Sequence, residues 1–160
     1  MKQLDLEHFL PYRLNRAAAA VSEQLRAVYG RKYGLTIPEW RVLATLAQFP
    51  CSTAQFVGRH ASLHKTKVSR AVQALDERRW LYRKENPQDR REEFLELTKL
   101  GCQQYVLIVP EMARFEERLL AAFEPEDARC LFQAFARLEE VLGLSPDPAL
   151  IQDARRKKGV

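Results

Sequence analysis

Apolar residues along this chain recur in two rhythms. From residue 7 to 30, Phe9, Leu10, Leu14, Ala17, Ala18, Val21, Leu25 and Val28 fall three and four apart, the spacing of one helical face. Pro11 lies early, where a first turn tolerates it, and Gly30 and Gly34 punctuate the end. Thr36-Ile37-Pro38-Glu39 predicts a helix start, because Thr36 can cap, Pro38 suits the first turn and Glu39 can reach back in a capping box. That helix carries Trp40, Val42, Leu43, Leu46 and Ala47 and stops near Pro50. Ser52-Thr53-Ala54-Gln55 has the same capping-box spacing and opens a short helix through Val57 and Arg59. A break at His60-Ala61-Ser62 separates it from a longer helix, from about Leu63 to Arg79. Short helix, tight turn, long helix is the helix-turn-helix order.

The rhythm then changes to two. Leu81-Tyr82-Arg83-Lys84-Glu85 and Glu93-Phe94-Leu95-Glu96-Leu97 alternate, with Asn86-Pro87-Gln88-Asp89 between them, so a β-hairpin is expected. Thr98 caps a further helix with Leu100, Tyr105, Ile108, Met112, Phe115 and Leu119 as core positions. Pro125-Glu126-Asp127 starts the last, which carries Leu131, Phe132, Phe135, Leu138, Val141 and Leu142. A tail from 144 to 160 holds Pro146, Pro148 and Arg155-Arg156-Lys157-Lys158. The first helix and the last two are more apolar than the small middle unit can cover. They are expected to pack on a second copy, as in helical dimers, rather than close into one self-contained bundle.

At 160 residues, 46% hydrophobic and 29% charged, the chain has the size and composition of one soluble globular domain. No apolar run approaches the roughly 20 residues of a membrane span, and the start MKQLDLEHF lacks the apolar core of a signal peptide. A cytoplasmic location is expected. Cys51, Cys102 and Cys130 are widely spaced and form no CxxC pair. They point to a reducing compartment and read as small buried hydrophobes.

Charge singles out one segment. Residues Arg59 to Arg91 contain ten Lys/Arg and four acids, a net +6, while the whole chain is only +5. Basic charge confined to so short a stretch is the footprint of a nucleic-acid-binding surface. On a helix turning about 100° per residue, Val68, Ala71, Val72 and Leu75 share one side. Thr66, Lys67, Ser69, Arg70 and Gln73 share the other, with Lys65 at the helix start. Arg can pair two-pronged with guanine, Gln with adenine, and Ser or Thr with bases or phosphates. Any solvated helix face is polar; here the tight turn before the helix and the basic hairpin after it favour the DNA reading. At the hairpin tip Arg90 and Arg91 suit the negative potential of a narrow minor groove. Asp89 suits an orienting partner for a neighbouring arginine.

The segments LTIPEWRVL, KTKVSRAVQALDERRWL and NPQDRREEFLELTKLG resemble the MarR family of bacterial winged helix-turn-helix regulators. The likeness covers nearly the whole chain, and its D-R-R wing followed by L-T-x-x-G is its specific part. It implies a mainly α fold with a small β-hairpin wing (α+β): one domain over 1–160, with a winged helix-turn-helix lobe over 36–98 flanked by dimerisation helices over 7–34 and 99–143. It also implies a homodimer on a pseudo-palindromic double-stranded operator, acting as a repressor released by a small ligand. By position, Arg91 matches the family's minor-groove arginine, Asp89 its wing aspartate, and Thr66 to Arg70 its base-reading turn. Two positions depart from the pattern: Arg79-Trp80 stands where the family often has Gly-Leu, and His64 where it has an Asp or Ser cap.

Other chemistry is thinly represented. His60 and His64 have metal-pair spacing but straddle the predicted turn, and no third ligand is near. No phosphate loop or nucleophile–base set is present, so neither an enzyme nor a cofactor is expected. Some relatives sense oxidants through a cysteine early in the first helix, where this chain has none. By the resemblance, a ligand site is expected at Tyr12, Arg13, Arg16 and Trp40, with His8 near. Arginines beside aromatics suit an aromatic carboxylate or its thioester. Core packing of Tyr12 and Trp40 with surface ion pairs for the arginines is the equal alternative. The competing class of function is a helical adaptor whose basic hairpin binds an acidic protein.

Overall fold

The computed structural model of the protein describes residues 4–86 and 92–144, and the chain divides into two units at Ile37 and Pro38. The turn residues Pro87 and Gln88, the tip residues Asp89, Arg90 and Arg91, and the tail from Ser145 lie outside the described residues.

The first unit is built on helix α1, Leu10–Tyr33. Phe9 occupies its N-cap without a side-chain bond, and Pro11 sits in the first turn, where no intrahelical N–H is needed. The helix runs through Gly30, one of the two glycines expected to end it, and stops at Gly34. Gly34 takes φ 63° and returns its N–H to the Gly30 carbonyl at 3.0 Å. Only the second glycine adopts the left-handed conformation that terminates a helix cheaply.

The second unit contains α2 (Ile37–Gln48), β1 (Ser52–Thr53), α3 (Ala54–His60), α4 (Lys65–Glu77), β2 (Leu81–Glu85), β3 (Glu93–Leu97), α5 (Lys99–Leu120) and α6 (Pro125–Val141). The sheet is antiparallel in the order β1-β3-β2, so the expected two-stranded hairpin gains a third strand. Ser52 pairs with Leu95 and Thr53 with Phe94. This moves the cap of α3 by one residue. Ser52, expected to cap, instead donates its hydroxyl to the Phe49 carbonyl at 2.8 Å, and Thr53 accepts from the Phe56 N–H at 3.2 Å.

Side chains from every layer of the lobe meet in its core: Val42, Leu43 and Leu46 from α2, Val57 from α3, Val68, Val72 and Leu75 from α4, Leu81 and Leu95 from the sheet, and Ile108 from α5. Along α5 the buried positions are Gly101, Ile108 and Phe115, a single seam. Leu100 and Leu119, expected in the core, are 42% and 40% exposed. Leu100 is one residue, about 100°, off that seam. Helix α6 buries no residue at all, and Phe132, Phe135 and Val141 face outward. The cysteines also depart from expectation: Cys102 and Cys130 are exposed on α5 and α6, and Cys51 is only half-buried. Among the described residues no helix is long and apolar enough to cross a membrane.

The junction between the end of α4, β3 and α5 is made by backbone groups and the Thr98 hydroxyl. Thr98 donates its N–H to the Trp80 carbonyl at 3.0 Å and its hydroxyl to the Arg79 carbonyl at 2.7 Å, and its oxygen accepts from the Gly101 N–H at 3.0 Å. A Cβ on Gly101 would lie 1.9 Å from the Trp80 carbonyl oxygen, a position no side chain can share. Gly101→Ala should therefore lower stability by at least about 2 kcal/mol. Gly30→Ala is the contrasting case: its methyl would meet atoms at 3.5 and 3.7 Å, and it should be neutral or stabilising by up to about 1 kcal/mol. Chemical denaturation of both variants checks this; a wild-type midpoint for Gly101→Ala would show that the junction yields.

Candidate nucleic-acid interface

Helix α4 has one buried and one solvent face. Val68, Ala71, Val72 and Leu75 are buried, and Lys65, Thr66, Lys67, Ser69, Arg70 and Gln73 are all exposed. The 3.6-residue period alone divides them this way. Val68 also anchors the helix-turn-helix angle, since a Cβ on Gly58 of α3 would come within 3.3 Å of its methyl and 3.2 Å of the Leu63 carbonyl.

The turn between α3 and α4 is a Schellman motif. Ser62 takes φ 53°, its N–H bonds the Arg59 carbonyl at 3.2 Å, and the Leu63 N–H bonds the Gly58 carbonyl at 2.8 Å. Arg41 of α2 braces the turn through the Ala61 carbonyl at 3.2 Å. His64 then caps α4, its Nδ1 accepting from the Thr66 N–H at a long 3.5 Å, which requires the ring proton on Nε2. The unusual cap residue therefore does the ordinary job, at the far limit of hydrogen-bond geometry.

The far end of α4 closes by the same motif. Arg79 takes φ 60°, its N–H bonds the Asp76 carbonyl at 2.7 Å, and the Trp80 N–H bonds the Leu75 carbonyl at 2.9 Å. Arg79 thus adopts the left-handed conformation for which glycine is the usual residue, at a cost of about 1 kcal/mol or more. The chain's departure from Gly-Leu leaves the exit geometry intact.

Several charged groups counted in the basic segment have partners within the lobe. Arg78 lies 3.9 Å from the mostly buried Glu39 carboxylate, with its guanidinium over the Trp80 ring at 5.2 Å. Arg83 reaches Asp76 at 3.6 Å and Glu93 at 3.0 Å. Gln73 donates through Nε2 to Glu77 Oε1, one turn on, at 3.0 Å. A carboxylate only accepts, so the amide keeps its oxygen and a second N–H for a base edge. Sequence reasoning missed all three pairings; only the i, i+4 spacing of Gln73 and Glu77 offered a signal.

On the outer face of the sheet, Glu96 accepts from both the Tyr82 hydroxyl and the Cys51 thiol. The hydrogen bond to Glu96, then desolvation and nearby negative charge, push the Tyr82 phenol above its ordinary range. Cys51 reaches this place because it takes φ 60° just before β1.

The residues expected to hold a ligand fall in different units. In the first, Arg16 donates through Nη1 to both Glu7 oxygens at 3.1 Å, and its guanidinium lies over the Tyr12 ring at 5.6 Å. Arg13 follows Tyr12 on the same helix. In the second, Trp40 stacks on Tyr105 with centroids 6.1 Å apart. His8 is paired with Asp5 at 2.8 Å.

Comparisons with known proteins agree with this geometry. A model of the MarR family matches residues 33–92. A Bacillus subtilis (strain 168) protein described as an uncharacterized HTH-type transcriptional regulator, YwoH, is 28% identical over 126 residues, 79% of this chain and 90% of that one. Among solved structures, a MarR/EmrR family transcriptional regulator from Acinetobacter sp. ADP1 superposes with a TM-score of 0.78 at 22% identity, over 89% of this chain and all (100%) of that one. BpsR of Bordetella bronchiseptica, whose DNA binding is regulated by 6-hydroxynicotinic acid, gives a TM-score of 0.75 at 17% identity, over 86% of this chain and 98% of its own. These structures share the fold.

His60 supplies a test of the lobe's packing. Its Nδ1 lies 3.4 Å from Thr45 Oγ1, the Phe49 ring meets it edge-on at 4.8 Å, and Phe56 stacks on it at 5.8 Å. Burial holds its pKa below the ordinary 6.5, since desolvation disfavours the imidazolium. A histidine depressed in the fold contributes stability above its unfolded pKa, and that contribution is lost as pH falls through the folded value. Titration of the His60 ring by NMR should give a midpoint below 6.5, moving upward in Phe49→Ala; a midpoint above it would contradict the packing.

Proposed function

We propose that the chain is a MarR-family winged helix-turn-helix transcriptional regulator, a ligand-released repressor that binds a pseudo-palindromic operator as a homodimer. Family members are regulators of transcription, not enzymes. The observation that carries the reading is the outward face of α4, where Lys65, Thr66, Lys67, Ser69, Arg70 and Gln73 stand exposed between two closed helix ends. Ser69, Arg70 and Gln73 have the donors and acceptors that read base edges in a major groove, and Lys65 and Lys67 suit phosphates. Arg90 and Arg91, oriented by Asp89, are assigned to the minor groove on the strength of the wing motif. The dimer reading is supported by α6, none of whose apolar residues is fully buried, and by Val106 and Leu107 on α5, which are more than half exposed.

The effector we assign is an aromatic carboxylate or its thioester, contacted by Tyr12, Arg13, Arg16 and Trp40. Arg16 already holds a carboxylate, that of Glu7, with an aromatic ring beneath its guanidinium. An incoming aromatic acid offers the same two partners, so it exchanges with Glu7 rather than requiring a new arrangement. The regulation of BpsR by 6-hydroxynicotinic acid, itself a heteroaromatic acid, supports this class. A ligand releases DNA only by binding the DNA-incompetent arrangement better, and moving two recognition helices off the roughly 34 Å repeat of the major groove is sufficient.

Two outcomes test this reading. On an operator recovered from the genome, footprinting should protect two half-sites one helical turn or a multiple apart. Arg70→Ala should cost about 1–3 kcal/mol and relax base preference, and Arg91→Ala should weaken binding and blunt A·T preference at the flanks. Wild-type affinity in both variants would sink the assignment.

For the effector, a panel of benzoates, hydroxycinnamates and their thioesters should contain members that quench or shift Trp40 fluorescence in a Trp80→Phe background. Those members should weaken operator binding by about 1–3 kcal/mol, and DNA should weaken their binding by the same factor. A panel that neither perturbs Trp40 nor shifts DNA affinity refutes the effector class and leaves the DNA reading standing.

A further inference from the structure

Alternation along β2 sends Leu81 and Arg83 to the same face of the sheet. Leu81 is buried, and so is Leu95, which lies directly across from Arg83 on β3. Arg83 therefore leaves the strand on the core side, where β2 packs against α4. Its side chain is still 42% exposed, because it runs past the rim of the core and meets two acids there. Nε lies 3.6 Å from Asp76 on the last turn of α4, and Nη1 lies 3.0 Å from Glu93, the residue that opens β3. A planar guanidinium with five fixed donors can hold both carboxylates at once in a set geometry, which the freely rotating ammonium of a lysine does not impose. We propose that Arg83, clasped by Asp76 and Glu93, is a positioning residue that fixes the direction of the wing relative to the recognition helix, so that the two DNA contacts stay in register; the inference rests on the winged-helix reading above.

The two acids make this testable. Exposed ion pairs contribute little to stability on their own, and a carboxylate on a DNA-facing lobe repels phosphate. If the clasp did nothing, removing an acid would add one unit of positive charge and tighten DNA binding regardless of sequence. If the clasp positions the wing, removing the acid lowers discrimination even though the charge change favours binding. The two accounts differ in sign.

The test uses the full chain, a duplex that the wild type selects from a random library, and a scrambled duplex of the same composition. Asp76→Asn and Glu93→Gln should each lower the ratio of selected to scrambled affinity by roughly tenfold, with scrambled affinity unchanged or tighter and thermal melts like wild type. Arg83→Met should give at least as large a loss, and combining it with Asp76→Asn should add little, since Arg83→Met already removes the tie to Asp76. The proposal is overturned if Asp76→Asn tightens both duplexes at an unchanged ratio, or if the losses of Arg83→Met and Asp76→Asn multiply. If the wild type selects no duplex at all, the winged-helix reading fails together with this one. If it selects a duplex and the variants keep its ratio, only the clasp fails.

Discussion

Everything in the DNA-binding lobe is referred to one close approach, the Trp80 carbonyl lying against the backbone of Gly101. On one side of it α4 ends by a left-handed residue, Arg79, and two backbone hydrogen bonds. On the other, Thr98 caps α5 while bonding the carbonyls of both Arg79 and Trp80. No long side chain intervenes to absorb motion. The end of the recognition helix and the beginning of the longest helix of the lobe are therefore one rigid joint. In any assembly built through α5, displacing the start of that helix carries the end of α4 with it.

The same joint explains why α4 can present so polar a face. A helix of 13 residues is marginal on its own. Here it is capped by His64 at its start, closed by a Schellman motif at its end and seated on four buried side chains, so its outer residues contribute little to holding it and are left to chemistry. Glu39, mostly buried beneath Arg78, adds a constraint of the same kind. A buried carboxylate must keep its partner, and its partner lies one residue before the left-handed turn.

Much of this was legible in the sequence, for identifiable reasons. The buried stripe Val68, Ala71, Val72 and Leu75 follows from helical period alone. The hairpin strands begin and end where alternation begins and ends, at Leu81–Glu85 and Glu93–Leu97. Strand β1 was invisible, because two residues carry no rhythm and only pairing with Phe94 and Leu95 makes them a strand. The shift of the α3 cap from Ser52 to Thr53 follows from that pairing. Arg79 lacked the expected glycine, yet the backbone adopts the conformation glycine would have taken, since tertiary bonds outweigh a local preference. Leu100 and Leu119 read as core because one chain's sequence does not say which apolar stripe its own fold will cover. For the DNA site, the exposed face of α4 was readable from its pattern, whereas the partners of Gln73, Arg78 and Arg83 depend on contacts between elements. The partners of the residues proposed for the ligand were harder still: Arg16 carries its own carboxylate, Glu7, nine positions back, beyond any helical repeat.

The pairing of Arg83 with two acids, and of Arg78 with Glu39, has a bearing on how the protein senses its ionic surroundings. The steepness with which a protein releases DNA as salt rises counts the counterions displaced from the phosphates. A guanidinium already neutralised from within displaces none. On the DNA-binding reading, the lobe's response to ionic strength is set by exposed cations of α4 such as Lys65, Lys67 and Arg70, and it is shallower than the number of basic residues in the segment implies. A lobe built in this way gives up part of its indiscriminate grip on polyanions in favour of geometry.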